Sequence, residues 1–423
     1  MTDPGDPSPM QPRPVTLSLS MIVRNEAHRL ERSLASVAGF VDEMVVLDTG
    51  SSDDTVAVAE RCGAVVHRFP WPGDFAPARN EALRHVRGDW VLVLDADEQL
   101  RAEAREPLRR LMAEPDLLLV NLLRFERGAR QSPYSSVSRL FRRHPAIRWS
   151  RQYHAMVDDS VLELLGREPH WRIADCGEPA LVHDGYSPEL LAAGDKARRL
   201  RRAMEAELGR RPGDPYACAK LGSLEVSEGQ HERGIRLLEL GLAHCPAAAV
   251  AERYELLLHL GIARAPHEPQ RAIALYREAL ALPLAPRISL GARLNLAGLL
   301  VEAAAASADA GTDRASLEEA AQLCRVATTA APDLGLAWAR LAQVERQRGD
   351  LPAAVMAYRQ AISLDPAQPE WHQNLAAAQL LSGDIAAART GFRHTLSLLE
   401  QQGQQAAAED LRRRLRPLVT LDD

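Results

Sequence analysis

A chain of 423 residues is too long for one ordinary hydrophobic core, so two or three domains are expected. With 51 basic and 57 acidic side chains its formal net charge is −6, which argues against a general nucleic-acid binder, and no basic stripe extends beyond short arginine clusters. The five cysteines, Cys62, Cys176, Cys218, Cys245 and Cys324, are odd in number and form no CxxC pair, which argues against a disulfide framework or a cysteine zinc site and fits a reducing cytoplasm.

No stretch approaches the roughly 20 consecutive apolar residues that cross a bilayer. Residues 1–14, MTDPGDPSPMQPRP, are proline-rich without an apolar signal core and read as a disordered tail. Val15–Val23 then reads as a first strand, and Ala27–Ala38 as a helix with Leu30, Leu34 and Val37 on one face. Met44–Asp48 is a second strand, followed by TGSSDDT, rich in turn formers and helix caps. A helix from Val56 to Arg61, a strand from Ala64 to Phe69 and a helix from Phe75 to Val86 lead through Gly88 to the run Trp90–Leu94. That run of five apolar residues predicts a strand buried on both faces, as in a parallel sheet flanked by helices. The alternation βαβαβαβ predicts an α/β domain with a doubly wound, mainly parallel sheet. From Leu117 to His183 the pattern is irregular. LLLVNLLRF, SVSRLF and PALVH are strand-like and extend the sheet into a mixed one, with long loops between them.

The remainder differs in kind. Gly349-Asp350 recurs as Gly383-Asp384, Ala354 as Ala388 and Tyr358 as Phe392, each 34 positions on, which is the spacing of tetratricopeptide helix pairs. Leu221, Gly222, Gly229, Gly234 and Pro246 hold the same offsets, as do Ala272, Tyr276 and Ala279, then Ala320, Ala327 and Pro332, with an insertion at Ser307–Arg314. An all-α repeat solenoid is expected from residue 211 to 423, joined to a sheet domain of residues 15–210 through a helix Pro188–Leu208.

Polar groups end three of the predicted strands: Arg24-Asn25-Glu26, Asp48-Thr49-Gly50-Ser51 and Asp95-Ala96-Asp97 with Glu98. Open α/β sheets bind ligands at the carboxyl ends of their strands. Asp95 and Asp97 stand so close that a divalent cation and a phosphorylated substrate are the natural counter-charge. A solvated acidic turn is the plainer alternative for that stretch alone, but three polar strand ends in one crevice favour a site.

The ordered segments IVRNEA, LDTGSSDDT, FAPARNEAL and GDWVLVLDADE resemble the nucleotide-sugar domain of family-2 glycosyltransferases, of the GT-A fold, in the bacterial subgroup that carries tetratricopeptide repeats. The resemblance implies that Glu26 and Asp48 contact the nucleoside, with Asp48 at the base edge. It also implies that Arg79 holds base or diphosphate, that Asp95 lies toward the ribose and that Asp97 ligates Mn2+ or Mg2+ on the diphosphate. LVHDGYSPELLAAGDKARRL is similar to the family's His-X-Gly-Tyr segment and makes His183 a candidate further metal ligand. Arg79 as a helix-surface side chain, and Lys196, Arg198 and Arg199 as a charged helix face, remain the blander readings. No glycine-rich phosphate loop is present, so a metal must carry the diphosphate charge.

RLFRRHPAIRWSRQYHAMVDD is similar to the family's stretch ending in His-Glu, but Ala155 stands where the acid is usual. An inverting transferase needs a base for the acceptor's proton. Asp158 and Asp159 follow closely; on an extended segment Asp158 shares a face with His154 and Asp159 does not, which favours Asp158, with His154 as its orienting partner or as the base itself. The expected activity is inverting, metal-dependent transfer of a hexose from a nucleotide-diphosphate sugar, with UDP-sugar favoured, to a peptide, protein or glycan acceptor, lipid-linked glycans included. The repeats are expected to bind a peptide, a protein partner or a second copy of the chain. Two other classes share these features. A nucleotidyltransferase would carry a glycine-rich basic first loop, which RNEA is not. A non-catalytic repeat adaptor fits Ala155 but not the retention of Asp48, Asp95, Asp97 and His183.

Overall fold

The computed structural model describes residues 14–128, 133–151, 155–184, 195–247, 249–306 and 310–418. Its first part alternates strands and helices: β1 (Leu17–Val23), α1 (Ala27–Val37), β2 (Glu43–Asp48), α2 (Thr55–Arg61), β3 (Val65–Arg68), α3 (Phe75–Leu83) and β4 (Trp90–Val93). There follow β5 (Glu98–Leu100), α4 (Arg105–Met112), β6 (Leu117–Glu126), β7 (Tyr134–Arg142), α5 (Asp158–Arg167) and β8 (Arg172–His183). The strands form one eight-stranded sheet in the order β3-β2-β1-β4-β7-β6-β8-β5. β1, β2, β3 and β4 are mutually parallel, β6 is parallel to β8, and β7 joins the two groups by antiparallel pairing on both sides.

Alternation explains why β4 is apolar throughout. Trp90, Leu92 and Leu94 enter a core with Leu19, Met21, Leu30 and Leu34 on one side of the sheet. Val91 and Val93 enter a second core with Val45, Ala76, Phe141 and Val161 on the other. Gly88 is required just before β4, because a Cβ there would meet Ser18 Oγ at 2.6 Å. Space is so short because Ser18 Oγ accepts the Gly88 N–H at 2.7 Å and donates to Glu43 at 2.6 Å.

The structure departs from expectation after β4. β5 is only three residues long, too short for alternation to be read, and is held by antiparallel pairing with the end of β8. β8 begins at Arg172, seven residues before the strand-like PALVH, because Ile173, Ala174 and Asp175 pair in parallel with β6. The segment expected to be extended at Asp158 is instead the first turn of α5, whose Val161 and Leu164 are buried together with Val157 just before it, at helical spacing.

The chain divides into two compact units between Ala203 and Met204, inside α6 (Asp195–Arg210); positions 188–194 of the expected bridging helix lie outside the described residues. The second unit is helical: α7 (Pro215–Ser227), α8 (His231–His244), α9 (Val250–Arg264), α10 (Pro269–Leu280), α11 (Leu290–Ala306), α12 (Ala310–Ala330), α13 (Gly335–Gln347), α14 (Leu351–Leu364), α15 (Pro369–Leu381), α16 (Ile385–Gln401) and α17 (Gln405–Leu415). Successive helices pack as pairs, α7 on α8 through α15 on α16. The repeated residues do the same work in each copy. Ala354 and Ala388 are fully buried where helices approach, and Tyr358 and Phe392 fill the adjoining gaps. Gly349 and Gly383 take φ of +84° and +86°, and Asp350 and Asp384 then cap α14 and α16, accepting from the backbone N–H of Ala353 at 3.0 Å and Ala387 at 3.1 Å. Asp350→Ala is expected to cost about 1 kcal/mol, read as a lowered denaturation midpoint of the repeat unit; an unchanged midpoint would remove the cap's contribution. Among the described residues no helix is long and apolar enough to cross a membrane.

Candidate active site

Parallel pairing of β1 with β2 and β4 brings their carboxyl ends to one edge, with Val23 beside Asp48 and Ser20 beside Val93. The first two turns at that edge are tied to each other. Asn25 adopts φ +56°, a left-handed conformation that asparagine tolerates, and its Oδ1 accepts from Ser52 N–H at 2.8 Å. Glu26 N–H donates to Thr55 Oγ1 at 2.7 Å. Asp48 is buried and accepts from the N–H groups of Ser51 at 3.1 Å and Gly50 at 3.3 Å, so its carboxylate shapes the turn it belongs to. The Glu26 carboxylate receives Arg29 of α1, Nη2 at 2.8 Å.

Asp95 is the hub of a two-arginine clamp. Its Oδ1 accepts from Arg79 Nη2 and its Oδ2 from Arg139 Nη2, both at 2.7 Å. Burial alone would push this carboxyl up, but the two guanidinium groups hold it well below the usual carboxylate range. Arg79 is buried, not a helix-surface side chain, and stacks over Trp149 at 4.7 Å. Asn80, one residue on, braces that tryptophan: its Nδ2 donates to Trp149 O at 2.9 Å and its Oδ1 accepts from Trp149 N–H at 2.8 Å.

Asp97 and His183 meet although 86 positions separate them, because β8 ends beside both β5 and β6, pairing His183 with Glu98 and with Glu126. His183 Nε2 stands 3.5 Å from Asp97 Oδ2, and its Nδ1 is 2.6 Å from Glu126 Oε2. Burial would lower the imidazole's pKa, but the two carboxylates raise it to about 9. Glu126 is held down to about 2, burial being outweighed by His183 and Arg124. Arg29 Nη1 also lies 3.5 Å from Asp97. Asp97 stays below its ordinary range: burial and Asp95 oppose this, while His183 and Arg29 favour it.

The donor set fits a divalent cation. Adjacent ligands of an octahedral ion at about 2.1 Å stand roughly 3 Å apart, close to the separation of Asp97 Oδ2 and His183 Nε2. A carboxylate and an imidazole leave most of the coordination sphere for phosphate oxygens and water. Among the described residues no group of three or more His, Cys, Asp or Glu side chains forms a ready-made cage. Asp95, engaged by two arginines, is not available as a ligand.

Asp158 lies at the start of α5, not on a strand, so the alternation that favoured it over Asp159 does not apply; the two are separated by helix geometry instead. Asp158 accepts from Ser138 Oγ at 2.7 Å, and burial raises its carboxyl above the ordinary value. Asp159 receives Ser150 Oγ at 2.6 Å and Arg151 at 3.4 Å, a set of partners that ties down the loop before α5. His154 lies outside the described residues. Ala155 packs against the apolar cluster of Ile147, Trp149, Val157 and Val161. Of the helix-face cations, Arg198 is exposed; Lys196 and Arg199 lie outside the described side chains.

Four residues of this constellation have no role in the sequence reading, Arg29, Arg124, Glu126 and Arg139, and Glu98 appears there only as an acid at the end of β4. A signal existed for two of them. Arg124 and Glu126 are two apart at the end of an apolar strand and therefore share a face.

The chain matches the family model for glycosyl transferase family 2 over residues 18–173 and a TPR repeat model over residues 342–383. It is 42% identical over 393 residues to a TPR repeat-containing protein of Synechococcus elongatus, covering 92% of this chain and 94% of that protein. It is 30% identical over 199 residues to an uncharacterized glycosyltransferase of Rickettsia bellii, 44% of this chain and 67% of that protein. Among solved structures, TTC0263, a TPR protein of Thermus thermophilus, aligns with TM-score 0.37 and 21% identity over 46% of this chain and 98% of that chain.

Proposed function

Since the chain belongs to the glycosyltransferase family 2 proteins that carry a TPR array, we propose that it is an inverting, metal-dependent enzyme moving a hexose from a nucleotide-diphosphate sugar, with UDP-sugar the favoured donor. The observation that carries this reading is the meeting of Asp97 and His183 at the edge where β1, β2 and β4 end, the edge that also holds Asp48 and the Asp95 clamp.

In this reading Asp48 and Glu26 border the nucleoside, Asp48 at the base edge, and Asp95 lies toward the ribose while presenting Arg79 and Arg139 to the donor. Asp97 and His183 would hold Mn2+ or Mg2+, which supplies positive charge to offset that of the leaving diphosphate. Asp158 takes the acceptor's proton as the acceptor attacks the anomeric carbon, and its raised pKa makes it a stronger base than an exposed aspartate. Residues 15–210 would carry this chemistry in the cytoplasm, and the repeats of residues 211–423 would bring the acceptor, a peptide, protein or glycan, or assemble with a partner or a second copy.

The test is a screen of UDP-, GDP- and dTDP-sugars with Mn2+ or Mg2+, following release of nucleoside diphosphate by slow hydrolysis. Release from one donor, abolished by chelation, is expected; no release and no binding of any donor would overturn the reading. Asp97→Asn is expected to weaken metal-dependent donor binding about 10-fold or more, measured by calorimetry, since it removes a charge from the metal's surroundings. Unchanged binding by that variant would remove Asp97 from the site.

A further inference from the structure

The turn that carries Asp97 is closed into a ring of side chains. Glu98, fully buried at the start of β5, accepts the N–H of Asp95 through Oε2 at 2.9 Å and receives Arg124 Nη1 at 2.6 Å through Oε1. Arg124 Nε then donates to Glu126 Oε1 at 2.8 Å, and Glu126 Oε2 faces His183 Nδ1 at 2.6 Å. His183 Nε2 returns to Asp97 at 3.5 Å. Residues of β5, β6 and β8 thus tie the Asp95–Glu98 turn to itself through Arg124, His183 and two buried carboxylates.

The two oxygens of Glu126 divide the labour. Oε1 is engaged by Arg124 and by Ser135 Oγ, which fixes the carboxylate in the sheet; Oε2 is directed to the imidazole. A carboxylate on Nδ1 requires the proton there, so Nε2 presents its lone pair whenever the ring is neutral. A metal-ligating histidine characteristically carries such a carboxylate on its other nitrogen, which sets tautomer and ring orientation and makes the imidazole a better donor.

We propose that Glu126 is a positioning residue of the metal site, holding His183 by Nδ1 so that Nε2 and Asp97 take one divalent cation between them. This rests on the metal-dependent reading above and adds to it a residue that the donor itself does not touch. Arg124, donating to Glu126 Oε1 at 2.8 Å, fixes the carboxylate with Oε2 turned to His183.

The test uses the full chain and Mn2+ alone, with free Mn2+ followed by electron paramagnetic resonance. Wild type is expected to bind one ion. Glu126→Gln, which keeps the shape but loses the charge, is expected to bind it about 10- to 100-fold more weakly while thermal unfolding shows a folded protein. Should that variant fail to fold, nitrogen-15 resonance of the wild-type histidines decides instead. His183 is expected to keep a slowly exchanging Nδ1–H while Mn2+ broadens its Nε2. Loss of Mn2+ binding in Asp97→Asn with unchanged affinity in Glu126→Gln would overturn the role of Glu126 and leave the metal site standing, as would broadening at Nδ1 in place of Nε2. Absence of specific Mn2+ binding by wild type would overturn the metal reading and this inference together.

Discussion

Asp158→Asn is expected to lower transferase turnover by roughly 100-fold or more while leaving donor affinity nearly unchanged, the pattern of a lost general base. The substitution is isosteric, and its amide oxygen still accepts from Ser138 Oγ, so the first turn of α5 should stay in place. Steady-state kinetics with the natural acceptor, beside calorimetry with the donor, separates turnover from binding. Wild-type turnover in Asp158→Asn would move the base elsewhere. Asp159→Asn would then be the informative companion, although its partners Ser150 and Arg151 give it a structural part to play. Asp158 is favoured by its burial and by its place at the head of α5, where strand alternation does not apply.

Asp95→Asn is expected to cost about 2 kcal/mol of stability and to weaken donor binding as well. Removing the charge leaves two guanidinium groups, with side chains only 7% and 13% exposed, without their shared counter-ion. Breaking a fully buried pair costs roughly 3–5 kcal/mol, and the lower figure allows for water reaching Asp95, whose side chain is 35% exposed. The sign with pH follows from the depressed carboxyl. Its contribution is present above the ordinary aspartate range and is lost only as pH falls through a lower value, so the difference between variant and wild type should be as large at pH 5 as at pH 8. Urea denaturation at the two pH values measures this. Equal stability of variant and wild type would mean that the clamp contributes nothing net.

Some of this could be read directly from residue order. The strand β4 was legible because a strand buried on both faces is apolar at every position, and Trp90–Val93 is; β1 and β2 were legible from shorter apolar runs set in the alternation with helices. The repeats were legible because each copy solves the same packing problem, so Ala354 and Ala388, Tyr358 and Phe392 recur at one period. The helix α5 is written in the helical spacing of Val157, Val161 and Leu164, a signal only three residues deep beside an acidic pair that suits a strand or turn equally well.

Residue order alone specifies the alternating strands and helices, the edge at which Glu26, Asp48, Asp95 and Asp97 gather, and the helical array that follows. These depend on neighbours a few positions apart, whose periodicity is written locally. Which charge meets which depends on how the strands pair in space. Arg79 and Arg139 converge on Asp95 from α3 and β7, and His183 reaches Asp97 and Glu126 only because β8 lies between β5 and β6. An ion pair needs two side chains within about 4 Å, and pairing across a sheet sets that distance without regard to separation along the chain, so no local pattern could announce it.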